Sequence, residues 1–379
     1  MFELKNKVIL IISPQKWGKM HISKHHYAIE LTKRGNIVYF FNPPVRQFLP
    51  KIKISKTENY NNLYLVTYSY FFPYNLRFHL RSLFDSLQKI QIKLILNKIK
   101  KPDVTWCFDT NGFSDLNFFG GKITIYHPVD NINGEHQKKL LQTSDFVFSV
   151  SDIIIKDLNK YDSNKKISFI NHGLSAYFST IKDSKTNKNN SDIKACFVGN
   201  ILLDSLDREA TKKIISENPD VNFVFIGAYT SSNISGDIDI NGRDFISFLK
   251  NTENVTLKGS MHPKNIAQEI KNADVLLVLI DPEKDVNKGS NSHKILEYLS
   301  IGKVIVSNHI STYADKRDLI EMVDEMHNKN LPALFKKVIN NLDHYNSPEK
   351  QRKRIEFALD NTYEKQIQRI EKIISEKNA

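Results

Sequence analysis

The sequence predicts an α/β protein of two doubly wound units joined by a polar linker, and three observations predict it. Short apolar runs alternate with amphipathic ones along residues 1–178. Residues 179–193, STIKDSKTNKNNSDI, are then almost without apolar side chains. A second alternating series starts at Lys194 and gives way, after about Lys316, to a helical pattern that runs to the end. Short apolar runs separated by helical segments mark a mostly parallel sheet covered on both faces. Two such series in 379 residues exceed what one ordinary core accommodates.

In the first series, KVILIISP (Lys7–Pro14) and IVYFFN (Ile37–Asn42) are buried strands flanking a helix from about Ile22 to Arg34, closed by Gly35. Leu63–Tyr68, Val104–Asp109, Ile123–His127 and Phe146–Ser151 continue it. A long helix is expected from about Leu76 to Lys100. In the second series the strands are Lys194–Asn200, Asn222–Gly227, Val255–Gly259, Val275–Asp281 and Lys303–Asn308. The expected division is a first domain over 1–178, a linker over 179–193, a second domain over 194–345, and a helix over 346–379 returning to the first domain.

Composition narrows the class. The two cysteines, Cys107 and Cys196, lie far apart in strand-like runs without metal-ligand spacing, which fits buried thiols in a reducing cytosol. No stretch approaches the roughly 20 apolar residues of a membrane-spanning helix, and the N-terminal run is too short for a signal peptide. The expected location is cytoplasmic, peripheral on the inner face of a membrane. The net charge is +12, yet residues 1–100 hold 17 Lys and Arg against 4 Asp and Glu, so the excess lies wholly in the first quarter. Such asymmetry calls for an anionic partner. No nucleic-acid-binding motif is present, so none is expected as partner.

Two places carry chemistry of their own. Ser290-Asn291-Ser292-His293-Lys294 opens an amphipathic helix that ends at Gly302. Backbone N–H groups at a helix start suit a diphosphate. Lys294 and Glu297, three apart, share a face and offer a cation for phosphates and a carboxylate for ribose hydroxyls. The alternative is an ordinary capped surface helix with an ion pair. In the first domain, IYHPVD closes a strand at His127 and Asp130, the end where open α/β sheets place functional groups. Either residue can instead be structural, His127 satisfied by carbonyls and Asp130 capping a turn; Asp109 is a rival acid. The loop after the first strand, with Gln15, Lys16, Trp17, Gly18 and Lys19, suits an anion but is no P-loop. Of His25 and His26 on the following helix, one is expected to face the core.

The expected 76–100 helix carries Leu80, Leu83, Phe84, Leu87, Ile90, Leu94, Ile95 and Ile99 at helical spacing, among Arg77, Arg81, Lys89 and Lys93. The aromatic cluster Tyr68–Tyr74 precedes it. The expectation is an apolar stripe packed on the sheet, with the basic residues and aromatics turned to an anionic membrane.

The segment KILEYLSIGKVIVS (Lys294–Ser307) resembles the K-x-x-E-Y-x-x-x-G-x-x-V-V signature of GT-B glycosyltransferases related to family 4. VGN (198–200), FIG (225–227), NVTLKGSMHP (254–263), NADVLLVLI (272–280) and Asn361-Thr362-Tyr363 fall in the same order. The resemblance implies two Rossmann-like domains facing a cleft, with the last helix crossing back to the first. It implies that Gly199, Asn200, Ser292 and Lys294 hold donor phosphates, Glu297 the ribose, and Gly259 and His262 the base. His127 then contacts the transferred sugar, and Asp130 is the general base if the reaction inverts, the sequence leaving retention or inversion open. One departure is plain: Gly289 stands eight residues before Glu297, where retaining members carry a glutamate. The implied function is transfer of a sugar from a nucleotide-sugar substrate to a lipid-linked saccharide, in surface polysaccharide or glycolipid synthesis, with no cofactor and no metal. An epimerase or hydrolase of the same fold, or an inactive nucleotide-sugar scaffold, are the alternatives.

Overall fold

The computed structural model describes residues 2–18, 21–46, 51–130, 134, 136–179, 193–230, 240–285 and 291–377. Lys19, Gly289, Ser290 and nearly all of the expected linker lie outside the described residues. The chain divides into two compact units: Met1–Gly173 with Tyr363–Ala379, and Leu174–Thr362.

The first unit is built on β1 (Val8–Ile12), β2 (Ile37–Phe41), β3 (Ile52–Lys56), β4 (Leu63–Tyr68), β5 (Val104–Cys107), β6 (Ile123–Tyr126), β7 (Phe146–Ser149) and β8 (Ile167–Phe169). They lie in the order β3-β4-β2-β1-β5-β6-β7-β8, parallel except for β3, which runs antiparallel to β4. The second unit holds β9 (Ile193–Val198), β10 (Val221–Ile226), β11 (Val255–Leu257), β12 (Val275–Val278), β13 (Val304–Ser307) and β14 (Glu321–Met322), ordered β11-β10-β9-β12-β13-β14 and all parallel. Central strands such as VILII of β1 are buried on both faces, which is why they are continuously apolar. In each sheet the winding reverses beside one strand, β1 in the first and β9 in the second. The carboxyl ends there form the switch points where such sheets bind ligands.

Both units register their strands with the same device. Asp103, just before β5, accepts the Val8 amide on its carboxylate (3.0 Å) while its own amide bonds the Val8 carbonyl (2.8 Å). Asp274, just before β12, does the same with Lys194 at 3.0 and 2.8 Å. An aspartate at the amino end thus satisfies the exposed N–H of the neighbouring strand and fixes which residues pair.

Several expectations are corrected. The units change over at Leu174 and Tyr363, not at 178 and 346. The Pro348–Asp360 helix stays with the second unit because buried Arg354 donates to the carbonyls of Leu319, Gly302 and Tyr345 at 3.1, 3.0 and 2.9 Å. Only the Tyr363–Lys377 helix joins the first unit, where Glu371 takes Arg34 in a two-pronged ion pair at 2.7 and 2.9 Å. The long basic helix is two, Leu76–His79 and Arg81–Leu96, with Leu80 out of helical geometry between them. Arg77 ties the first piece to the Asn111 carbonyl (2.8 Å), and Arg81 pairs within the second with Asp85 (2.9 Å). The apolar stripe does not all pack inward: Phe84, Ile92 and Ile95 are buried beside Gln88 and Gln91, while Leu83, Ile90 and Leu94 are exposed. No helix among the described residues is long and apolar enough to cross a membrane.

Candidate active site

The second unit assembles its candidate site from the carboxyl ends of β9, β10 and β11. The Gly199 amide donates to the Ile226 carbonyl (2.9 Å) and the Gly227 amide to the Gly259 carbonyl (2.8 Å), so the three strand ends are laced together. The His293–Ile301 helix enters beside them. Its buried face, Ile295, Leu296, Tyr298, Leu299 and Ile301, is what holds it to the sheet. Ser292 caps it by accepting the Lys294 amide (3.4 Å), and Gly302 at φ 80° ends it in the left-handed region. Tyr298 adds a link that the spacing does not announce: its hydroxyl accepts the Val198 amide (2.8 Å) and pins the helix to the last residue of β9.

That pinning brings Lys294 to Gly199. A Cβ on Gly199 would stand 3.0 Å from Lys294 Nζ and 2.9 Å from the Phe197 ring, so the glycine leaves the room that the ammonium uses. Lys294 and Glu297 keep part of their surface exposed, yet enough protein surrounds the charged ends for burial to dominate both. Burial pulls the Lys294 pKa down, with Glu297 opposing. Burial likewise pushes Glu297 up to about 7, with Lys294 opposing. A desolvated ammonium beside a helix start and a laced set of strand ends is suited to stabilise a diphosphate. Asn200 caps its own turn by accepting the Leu202 amide (3.1 Å). Gly259, at φ 64°, turns the chain after β11. His262 is exposed, caps the Pro263–Lys271 helix by accepting the Lys264 amide (3.3 Å), and meets Tyr177 edge-on at 5.4 Å.

The Glu297 shift has a measurable sign. Its proton is held more tightly in the folded chain than at the ordinary 4.5, so the contribution to stability is complete below pH 4.5 and lost as pH rises through about 7. Glu297→Gln is therefore expected to gain stability relative to the wild type between pH 4.5 and 7 and to level off above. Urea midpoints at three pH values check it; a constant difference contradicts the assignment.

In the first unit, the expected residues separate. Gln15, Lys16 and Gly18 are exposed after β1, and Trp17 is held by its amide to Asn42 (2.8 Å) and by ring contacts with His25 and Phe40 at 5.2 and 4.9 Å. A Cβ on Gly18 would find open space, so glycine is not sterically required there. Asp130 is exposed. Asp109 is occupied as a turn cap, accepting the amides of Asn111 and Gly112 at 2.9 and 2.8 Å, which removes it as a free base.

His127 departs from expectation. Its ring has no exposed surface, stacks on Trp106 and Phe108 at 6.0 and 5.1 Å, and lacks a hydrogen-bond partner at either nitrogen among the described residues. Burial drops its pKa to about 3, with His172 and Lys24 adding to the shift. In this arrangement it packs the core and presents nothing to a sugar.

The residue that spacing missed is Lys24, on the Ser23–Lys33 helix, which is 1% exposed with no hydrogen-bond partner for its ammonium among the described residues. Burial pulls its pKa to about 8, and Asp130 and Asp109 hold it from falling further. A buried ammonium left without hydrogen bonds is costly. Lys24→Met is expected to raise the unfolding temperature, an increase that thermal denaturation of the two proteins reads directly. A fall would show that the carboxylates outweigh burial.

No protein-family model matches the sequence, and no curated protein matches it. Solved structures do. Sucrose-phosphate synthase from Thermosynechococcus elongatus superposes with a TM-score of 0.70 at 12% identity, covering 98% of each chain. The Anabaena protein HepE, solved with UDP-glucose, gives 0.68 at 12% identity over 98% of this chain and 100% of its own. A glycosyltransferase from Rickettsia africae gives 0.63 at 14% identity over 98% of each. The chain has the GT-B fold. In the GT-B frame, the Lys294–Glu297 helix precedes β13, and Gly199 ends the first strand of the second sheet. At these identities the likeness is one of fold.

Proposed function

We propose that the chain is a glycosyltransferase moving a hexose-type unit from a nucleotide-sugar donor, held by the second unit, to a saccharide acceptor. The observation that carries this is Lys294: a desolvated ammonium beside Gly199, at the start of a helix pinned to β9 by Tyr298. In this reading Lys294 and the helix N–H groups neutralise the leaving diphosphate, Ser292 and Asn200 line it, Glu297 accepts from the ribose, and the Gly259–His262 turn borders the base. UDP-glucose in HepE supports a nucleotide sugar as the donor class. Asp130, exposed in the segment after β6, serves as base toward the acceptor hydroxyl, and the Gln15–Gly18 loop after β1 borders the acceptor. The acceptor is lipid-linked, and Arg77, Arg81, Lys89 and Lys93 of the first unit draw the protein to the anionic membrane that carries it, in surface polysaccharide or glycolipid assembly.

A thermal-shift screen of UDP, GDP, ADP and their sugars tests the donor site. One nucleotide class is expected to raise the unfolding temperature by several degrees; a flat response to all of them removes the reading.

A further inference from the structure

The Arg81–Leu96 helix carries large apolar side chains on two faces, Phe84, Ile92 and Ile95 buried and Leu83, Ile90 and Leu94 exposed. Its inward face includes two glutamines: Gln88 donates to the Tyr70 hydroxyl (2.8 Å) and the Gly112 carbonyl (2.9 Å), and Gln91 accepts the Phe71 amide (3.3 Å). Its outward face carries Leu83, Leu87, Ile90 and Leu94, spaced i, i+4, i+7 and i+11 and so aligned in one row. Leu83, Ile90 and Leu94 are 46%, 51% and 46% exposed, and Phe78 and Leu80, which precede the helix, are 69% and 54% exposed. Of the 11 large apolar side chains exposed among the described residues, 6 fall between Phe71 and Leu94, and 3 of these are in the row. A row of exposed apolar side chains along one helix of a folded unit marks an interaction face.

The charge beside it selects the partner. Lys89 and Lys93 are exposed on the same helix and form no ion pair among the described residues; Asp85, the helix's one acid, is taken by Arg81. The row therefore lies within the part of the chain that holds 17 basic residues against 4 acidic ones. An apolar ridge bordered by exposed lysines outside any ion pair fits a surface with anionic headgroups above hydrocarbon. We propose that the Leu83–Leu94 row inserts into the acyl boundary of an anionic bilayer, with the helix lying in the plane of the interface. This rests on the membrane part of the function proposed above and adds a mode: hydrophobic insertion, where the basic residues alone give only salt-sensitive adsorption.

The test uses the full chain and vesicles of phosphatidylcholine with and without phosphatidylglycerol, at low and high salt. The wild type is expected to bind anionic vesicles and to keep a measurable fraction bound at high salt. Leu83→Asn/Ile90→Asn/Leu94→Asn is expected to lose at least ten-fold in vesicle binding at both salts, while its nucleotide-induced thermal shift stays at the wild-type value and shows an intact fold. Ile90→Trp is expected to blue-shift on anionic vesicles and to be quenched by brominated acyl chains. Complete release of the wild type by salt, with the triple variant binding equally well, overturns insertion and leaves electrostatic attachment standing. No vesicle binding by the wild type removes both. A wild-type dimer that the triple variant abolishes, without quenching on vesicles, assigns the face to a second copy and overturns the proposal.

Discussion

Lys294→Ala is expected to lower kcat/KM for release of nucleotide from its sugar donor by about 10²–10³-fold, the usual loss when one preorganised donor to a developing charge is removed. The size follows from where the ammonium sits. Burial already disfavours its charge, so a diphosphate arriving beside Gly199 meets a cation that water screens only in part. Lys294 also opposes the upward shift of Glu297, so its loss raises the Glu297 pKa further and biases that carboxyl toward the protonated form. The ribose contact then weakens with the phosphate contact. Lys294→Met keeps the aliphatic stem and tests charge alone. Nucleotide affinity and turnover, measured with the nucleotide that the thermal screen identifies, should fall in both variants while the unliganded unfolding temperature holds. Undiminished turnover removes Lys294 from the donor site.

Much of this was legible in the amino-acid order. Apolar runs such as VILII and VLLV appear as buried strands because parallel central strands have no wet face, and Gly302 appears as a helix end because it takes a positive φ. Lys294 and Glu297 were visible because helical spacing puts them on one face. What spacing does not carry is long-range. The Tyr298 hydroxyl that reaches Val198 is 100 residues away in sequence. His127 looked available because strand ends are, yet three aromatic rings from β5, its flank and β7 close over it. The outward row on the Arg81–Leu96 helix has the period of a buried stripe; the burial of Phe84, Ile92 and Ile95 together with the hydrogen bonds of Gln88 and Gln91 turns the other face in. The returning helix was misplaced because Pro348 starts a regular helix whose partner, the Gly302 carbonyl bonded by Arg354, no local pattern names.

Gly227→Ala is expected to damage stability and donor binding together. Gly227 sits at φ 153°, where a side chain costs about 1–3 kcal/mol in backbone strain. Its Cβ would stand 1.6 Å from the Gly199 carbonyl oxygen, and relieving such overpacking costs about another 1–3 kcal/mol. The obstacle is backbone, so it cannot swing aside: Gly199 must move, and with it the surface against which Lys294 Nζ lies. The same methyl at Gly199 would meet the buried Phe197 ring and the flexible end of Lys294, so it should cost affinity by displacing Lys294 and less stability than at Gly227, where the obstacle is backbone. At Gly18 it would meet nothing nearer than the Lys16 carbonyl at 4.0 Å and should change stability little. Urea denaturation and nucleotide titration of the three alanine variants separate these cases. A Gly227→Ala protein with wild-type midpoint and wild-type nucleotide affinity would mean that the strand ends of β9 and β10 can part without disturbing the site, and the link from Gly227 through Gly199 to Lys294 would be broken.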